Sequence, residues 1–224
     1  MLIRERLSPN HGPRRGGGPI DMLVLHYTGM RDTAGALDRL CDPAAQVSAH
    51  YLIEEDGTVW RLVDEALRAW HAGESFWAGE SDVNSRSIGI ELANPGHGPD
   101  YRPFAEAQMA ALEAMAANIL ARHPIPPHRV LGHSDVAPGR KRDPGELFDW
   151  RRLARRGIGL WPGARTGSGV SDAETLMRRF GYRDASEDAV TAFQLHFRPD
   201  LVSGVADDDT LACLGDLVTR AKLG

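Results

Sequence analysis

Short apolar runs separated by turns constrain the fold of this chain more than any other feature. Residues 20–27 and 87–93 read IDMLVLHY and SIGIELA, and both runs are rich in residues that favour strands. A membrane helix needs roughly 18–20 apolar residues, so these runs predict strands buried inside a globular domain. Because helical patterns lie between and after them, we expect an α/β architecture.

The alternation of polar and apolar residues predicts the remaining elements of this domain. Residues 47–53 and 58–63 predict a β-hairpin with an Asp-Gly turn between its strands. Residues 104–123 predict the longest helix, because apolar residues recur there at helical spacing and Pro124 follows. The sequence also predicts a short helix at 33–40 and a strand at 129–131. A further helical segment is predicted after the loop at 132–150 and ends at about residue 156.

A glycine-rich stretch near residue 160 divides the chain into two predicted parts. We predict an α/β domain at 1–160, a linker at 161–170 and a small all-α domain at 171–224. Ser171 followed by Glu174 is typical of a capping box at the start of a helix. The three predicted helices cover about 171–181, 186–197 and 207–221. Their predicted core consists of Phe180, Val190, Phe193, Phe197 and Leu211.

Composition excludes several classes of protein. A net charge of −5 argues against nucleic acid as the main partner. Two distant cysteines argue against a disulfide framework as the basis of the fold. The first residues lack the apolar region of a signal peptide, and no run is long enough to span a membrane, so the sequence as written predicts a cytoplasmic protein. The alternative is a periplasmic or outer-membrane-associated protein, if the sequence is part of a longer exported chain. We also expect a monomer.

Two histidines and one aspartate are candidate metal ligands. His26 lies near the end of the first apolar strand, and His133 and Asp143 flank a long loop rich in glycine and proline. Imidazole and carboxylate groups bind zinc, and three such ligands leave a position open for water. The alternatives are a buried histidine with ordinary hydrogen bonds at position 26 and a polar surface loop at 133–143.

A carboxylate and a lysine are candidate catalytic groups. Glu91 lies within a buried strand, where a carboxylate must be paired with a cation or serve in the chemistry of a site. It is either an ion-pair partner of an arginine or a general base. Of the 26 basic residues, 24 are arginine, and only Lys141 and Lys222 are lysine. Lys141 is either a solvated loop residue or a point charge that stabilises an oxyanion.

Five motifs in order resemble the zinc-dependent N-acetylmuramoyl-L-alanine amidases, and most of all their AmiD-like branch. These motifs are LVLHYTG at 23–29, VSAHYLIEEDGTVWRLV at 47–63, AWHAG at 69–73, SIGIELAN at 87–94 and GHSDVAPGRKRDPGELFDW at 132–150. The family shares its fold with peptidoglycan recognition proteins, which implies a mixed central β-sheet flanked by helices. Residues 189–199 and 204–214 resemble a three-helix peptidoglycan-binding domain.

The resemblance implies a role for each candidate residue. His26, His133 and Asp143 correspond to the zinc ligands of the family, Glu91 to its catalytic glutamate and Lys141 to its catalytic lysine. The implied cofactor is Zn²⁺, and the implied partners are peptidoglycan fragments or muropeptides. The implied reaction is hydrolysis of the amide bond between N-acetylmuramic acid, or its 1,6-anhydro form, and L-alanine. Further substrate contacts are expected at His71, Trp70 and Asn94.

Two other functions stay open at the level of the sequence. A peptidoglycan recognition protein uses the same fold to bind without hydrolysis, but such a protein can dispense with Asp143 and Glu91, which this chain retains. A zinc peptidase that acts on a peptide without sugar is the other alternative. The second domain favours cell-wall material as the substrate.

Overall fold

A computed structural model gives the fold and describes residues 3–163 and 172–223. Within these ranges, all the strands lie before residue 133. The strands are β1 (Ile3–Glu5), β2 (His11–Pro13), β3 (Met22–Tyr27), β4 (Tyr51–Ile53), β5 (Val59–Arg61), β6 (Leu67–Ala69), β7 (Ser87–Leu92) and β8 (Val130–Gly132).

Helices alternate with these strands and then continue alone to the end of the described chain. They are α1 (Thr33–Cys41), α2 (Val83–Arg86), α3 (Glu106–Arg122), α4 (His133–Val136), α5 (Trp150–Arg155), α6 (Ala173–Phe180), α7 (Glu187–Phe197) and α8 (Asp208–Arg220). None of them is both long and apolar enough to cross a membrane. The cytoplasmic location and the monomeric state stay predictions.

Six strands form one mixed sheet in the order β1-β5-β4-β7-β3-β8, and β2 pairs with β6 in a separate two-stranded sheet. β3 lies between β7 and β8 and is parallel to both. β4 and β5 are antiparallel, as the predicted hairpin requires. The predicted architecture, a mixed central sheet flanked by helices, is confirmed.

The two faces of this sheet are covered by different helices. On one face, Leu23 and Leu25 of β3 belong to a hydrophobic cluster with α3. The apolar residues whose spacing predicted α3 are all buried there, namely Met109, Leu112, Met115, Ala116 and Ile119. On the other face, Met22 and Val24 share a cluster with residues of α6, α7 and α8. Because side chains alternate along a strand, His26 lies on this second face.

The last three helices, α6–α8, form what we call the helical unit. They cover 173–180, 187–197 and 208–220, close to the predicted ranges. All but one of the residues predicted as their core are buried; Leu211 is partly buried. α6 begins after Asp172, whose side chain accepts a hydrogen bond from the Thr175 N–H. The cap predicted at Ser171, like most of the predicted linker, lies outside the described residues.

The helical unit packs directly on the first part of the chain. Phe180 and Leu217 share one hydrophobic cluster with Met22, Trp77 and Leu131. The ring of Trp77 is fully buried and meets the ring of Phe180 edge-on, with centroids 5.9 Å apart. The helices therefore cover the face of the sheet on which His26 lies.

A buried histidine, His50, links the centre of the sheet to its margin. Its Nδ1 accepts a hydrogen bond from the Gly89 N–H at 3.0 Å, so Nε2 carries the proton and donates it to the Leu67 carbonyl at 3.1 Å. Burial, followed by the charge of Arg14, lowers the pKa of His50 to about 3. The imidazole is therefore neutral in the folded protein at neutral pH.

We expect this histidine to make the metal-free protein less stable in acid. The unfolded chain binds a proton at His50 near pH 6.5, whereas the folded chain does not, so lowering the pH favours unfolding. The contribution is about 1.4 kcal/mol per pH unit below 6.5 until the folded pKa is reached. His50→Gln should lose less stability than the wild type between pH 6.5 and 5, as measured by urea unfolding with a chelator present. Equal losses in the two proteins would contradict the assignment.

Candidate active site

Three buried side chains converge beside the carboxyl ends of β3 and β8. The Nδ1 atoms of His26 and His133 lie 2.9 Å apart. Oδ2 of Asp143 lies 3.1 Å from the first and 3.0 Å from the second. His133 directly follows β8, and β8 is a parallel neighbour of β3, so the sheet itself brings the two imidazoles together.

Hydrogen bonds behind His26 fix which of its nitrogens carries the proton. Ser87 Oγ donates its single hydrogen to the Val83 carbonyl at 2.7 Å, so it accepts one from His71 Nε2 at 3.1 Å. The other nitrogen of a neutral His71 is then an acceptor, and His26 Nε2–H donates to it at 3.0 Å. Burial lowers the pKa of His26 to about 4 and that of His71 well below its ordinary value, which keeps both rings neutral. Nδ1 of His26 therefore presents a lone pair to the cluster.

His133 is oriented in the same sense. Its Nε2–H donates to the Ala72 carbonyl at 3.0 Å, an oxygen that also accepts from the Arg140 guanidinium. Its Nδ1 is therefore the nitrogen directed at Asp143 Oδ2, at 3.0 Å, where it can offer a lone pair to a metal ion.

Two imidazole nitrogens and one carboxylate oxygen thus lie within 4.8 Å of one another and are buried. All three are atoms that can bind a metal ion, so a cation can be held between them. This N, N, O donor set fits Zn²⁺ with a fourth position open. The expected convergence of His26, His133 and Asp143 is found, and the third of these lies in the shaped loop rather than on an exposed surface.

Glu91 stands next to His26 across the sheet. The two residues are paired in the parallel register of β3 and β7, so their side chains project from the same face. Oε2 of Glu91 is buried and has no hydrogen-bond partner among the described residues. Burial, and then the charge of Asp143, raises the pKa of Glu91 well above its ordinary value, while Lys141 acts in the opposite direction. The alternative of an arginine ion pair is not found in the described part of the chain.

Gly89, two residues before Glu91 on the same face, makes room for His71. A Cβ atom at position 89 would lie 2.4 Å from Cγ of His71. The imidazole therefore rests on bare backbone, and any side chain here would displace it from His26.

A cleft of about 270 Å³ opens over the cluster. Glu91, Lys141 and Trp70 line it together with His133 and Asp143. The Lys141 ammonium has no hydrogen bond or ion pair within the described ranges, so it is available to a ligand in the cleft. The structure therefore brings the predicted metal ligands, the predicted base and the predicted lysine into one site.

The three predicted substrate contacts have different surroundings. Trp70 lines the cleft. His71 also borders it, but both of its ring nitrogens are engaged by His26 and Ser87. Asn94 lies outside this cleft, and its amide is used within its own loop, donating to the Arg102 carbonyl and accepting from a backbone N–H.

Several residues without a predicted role support the loop that carries Asp143. His97 bridges the Tyr27 hydroxyl at 2.8 Å and the Glu146 carboxylate at 2.8 Å. The hydroxyl of Tyr101 donates to the Pro144 carbonyl at 3.1 Å. These partners are 43 to 70 residues apart in the chain, so no local spacing indicates them.

Comparison with known proteins relates this fold and cleft to enzymes of the bacterial cell wall. The model of the N-acetylmuramoyl-L-alanine amidase family (Amidase_2) matches residues 16–146. The N-acetylmuramoyl-L-alanine amidase AmiD of Escherichia coli is 40% identical over an alignment that covers 90% of this chain and 83% of AmiD. The 1,6-anhydro-N-acetylmuramyl-L-alanine amidase AmpD of Haemophilus influenzae is 35% identical and covers 66% of this chain and 89% of AmpD.

Solved structures agree over nearly the whole chain. AmiD from E. coli, in complex with the substrate anhydro-N-acetylmuramic acid-L-Ala-D-gamma-Glu-L-Lys, superposes with a TM-score of 0.81 at 38% identity, covering 96% of this chain and 93% of AmiD. AmpDh3 from Pseudomonas aeruginosa, in complex with anhydromuramic pentapeptide, superposes with a TM-score of 0.82 at 35% identity, covering 96% and 95%.

We expect His71 to contribute to metal affinity through His26. His71→Phe keeps a ring of similar shape over Gly89 but leaves the His26 Nε2–H without an acceptor. Loss of such a partner behind a ligating histidine weakens metal binding by roughly 10–100-fold. Zinc affinity, measured by competition with a chromophoric chelator, should fall by this amount, while His123→Phe, the same change beside Glu65, should leave it unaltered. Wild-type zinc affinity in His71→Phe would refute the role.

Proposed function

This chain belongs to the N-acetylmuramoyl-L-alanine amidase family, and we propose that it works with one Zn²⁺ ion held by His26, His133 and Asp143. As an amidase of this family, it hydrolyses the amide bond between N-acetylmuramic acid and the L-alanine of the stem peptide, a reaction of cell-wall turnover and recycling. The observation that carries the zinc proposal is the convergence of two imidazole nitrogens and one carboxylate oxygen, 2.9 to 3.1 Å from one another.

The bound ion supplies Lewis acidity, which polarises the scissile carbonyl and lowers the pKa of water toward about 7. The protein supplies the ligands in a fixed orientation. Burial keeps the His26 imidazole neutral, so this ligand does not have to release a proton before it binds the ion. The relay from Ser87 through His71 to His26 maintains this state.

Glu91 is proposed as the general base and acid. It shares a face with His26, and its Oε2 has no competing partner among the described residues. Burial raises the pKa of Glu91, which makes its carboxylate a stronger base than an exposed one. Glu91 takes the proton of the attacking water and delivers it to the nitrogen of the leaving L-alanine. The products are the muramyl sugar and a stem peptide with a free amine.

Lys141 is proposed to stabilise the charge that develops on the carbonyl oxygen. It lines the same cleft, two residues before Asp143, and its ammonium is not consumed by a protein partner in the described ranges. A compact ammonium can approach one oxygen more closely than a planar guanidinium can. This requirement would account for a lysine between two arginines in a chain in which 24 of the 26 basic residues are arginine.

Soluble peptidoglycan fragments are the proposed substrates. The related AmiD and AmpDh3 structures each hold an anhydromuramic acid peptide, and this chain covers nearly all of both. We propose that Trp70, at the wall of the cleft, contacts the substrate. The predicted contact at Asn94 is not part of this proposal, because its amide is bonded within its loop.

We expect Glu91→Gln to abolish turnover without loss of the metal. The amide keeps the size of the side chain but cannot accept the proton of water. Loss of general acid–base catalysis lowers kcat by about 10²–10⁴-fold. Release of stem peptide from an anhydromuropeptide, followed by chromatography, should fall by this factor, with one zinc per chain retained by elemental analysis. Normal turnover in Glu91→Gln would exclude Glu91 as the base, and a wild type without zinc would exclude the metal.

We expect Lys141→Arg to slow turnover more than it weakens substrate binding. Removing a donor to an oxyanion typically costs about 10²–10³-fold in kcat, and a guanidinium should replace only part of the interaction. Because the replacement is partial, we expect kcat to fall by about ten-fold or more, while KM changes by less than about three-fold. Lys222→Arg makes the same change at the other lysine and should match the wild type. If both variants match it, Lys141 has no catalytic role.

A further inference from the structure

Asp135 is a buried carboxylate two residues after His133 that the proposed mechanism does not use. It is 1% exposed, and its Oδ2 accepts a hydrogen bond from the Gly132 N–H at 2.7 Å. This bond closes the chain around the first residue of α4, because Gly132 precedes His133 and Asp135 follows it. The orientation of the carboxylate therefore sets the turn that presents His133 to the cluster.

The remaining hydrogen bonds of Asp135 come from α7 of the helical unit and from the turn between α6 and α7. The Tyr182 hydroxyl donates to Oδ1 at 2.5 Å, and His196 Nδ1–H donates to Oδ2 at 2.7 Å. Both donors are 2% exposed. A carboxylate removed from water needs such donors, because each missing bond leaves a desolvated oxygen unsatisfied. Asp135 thus depends on α7 and on the residue after Gly181 for two of its three bonds.

The same histidine also contacts the second segment that bears a ligand. The ring of His196 stacks on Trp150, with centroids 3.6 Å apart and planes 20° apart. Trp150 begins α5, at the end of the loop that carries Asp143. It also lies against Gly132, where a Cβ would come within 3.3 Å of its ring. His196 therefore contacts both segments that carry a proposed ligand, at Asp135 after His133 and at Trp150 after Asp143.

We infer that the helical unit positions the metal centre: Tyr182 and His196 hold Asp135, and Asp135 holds the turn that presents His133. This inference rests on the proposed function, because it takes His133 as a metal ligand. The three helices would then have a structural role at the metal centre. This role is separate from the peptidoglycan binding implied by their resemblance to a three-helix peptidoglycan-binding domain. Tyr182, Asp135 and His196 are positioning residues, since none of them belongs to the cluster itself.

The test compares variants of the full chain that remove single hydrogen bonds. Tyr182→Phe deletes one donor and keeps the ring. His196→Leu deletes the other donor, whereas His196→Asn retains an N–H near the position of Nδ1; both lose the stack on Trp150. Leu217→Ala serves as a control, because it creates a cavity in the same hydrophobic cluster without contact to Asp135.

Two quantities are measured below the unfolding temperature of every variant. The first is hydrogen exchange of the Gly132 amide in the metal-free protein, by NMR. The second is zinc affinity by chelator competition. Tyr182→Phe and His196→Leu should speed exchange at Gly132 and weaken zinc binding by about ten-fold, the lower end of the range for residues behind a ligand. His196→Asn should recover most of both quantities, and Leu217→Ala should lower thermal stability while leaving both near the wild type.

The inference is overturned if Tyr182→Phe and His196→Leu leave Gly132 exchange and zinc affinity unchanged. It is also overturned if Leu217→Ala alters both as strongly, because general loosening of the helices would then account for the effect. A wild type that binds no zinc would refute the proposed function instead. In that case, Gly132 exchange still decides whether the helices hold the turn.

Discussion

The parallel register of β3 and β7 is the constraint on which the site depends. It sets His26 beside Glu91, and it sets Val24 beside Gly89 two residues earlier. Because side chains alternate along a strand, a shift of one residue would turn Glu91 away from His26 and place Ile90 over the cluster. The apolar residues on the opposite face oppose such a shift, since Leu23 and Leu25 are packed beneath α3. The hydrophobic core thus enforces the alignment of the polar face.

Burying the polar side chains on the His26 face of the sheet costs free energy, and hydrogen bonds between these side chains and the backbone offset most of that cost. His71 connects Ser87 to His26, and a glycine beneath it allows the ring to lie close to the backbone. His133 is tied to the Ala72 carbonyl in the same way. Five buried side-chain atoms of the described residues lack a partner, and Glu91 Oε2 is the one beside the cluster; the others are Asp21 Oδ1, Trp77 Nε1, Gln108 Oε1 and His196 Nε2. Glu91 is therefore unsatisfied where a cation, water and substrate would meet.

Local pattern was enough to predict most of the fold. The run at 20–27 became β3, Met22–Tyr27, and the periodic apolar residues at 104–123 became α3, Glu106–Arg122. The alternation of polar and apolar residues, and the proline and glycine residues that end helices and strands, are local signals. They can therefore be read from a single sequence. The one-turn helix α4 was missed, because glycine and proline around it predicted only loop and its stabilising carboxylate is satisfied from elsewhere.

The site was predictable to the extent that its motifs resemble a family, and less so where long-range contacts decide. The positions of His26, His133, Asp143 and Glu91 follow from the motifs, and the structure assembles them. The surroundings of His71 do not follow, because its partner His26 lies 45 residues away. His196 and Asp135 are 61 residues apart, and neither belongs to a recognisable pattern with the other. Contacts of this kind are set by packing of whole elements.

The order of these residues along the chain has a consequence for biosynthesis. Every proposed ligand, the base and the lysine have been synthesised once residue 143 is added, yet the donors that satisfy Asp135 are added later, with Tyr182 and His196. Until those residues are added, the Asp135 carboxylate has only one of its three protein hydrogen-bond partners, the Gly132 N–H. Domains fold in the order in which they emerge, so ordering of the His133 turn is a late event. Translation must pass α7 before the centre reaches its final geometry.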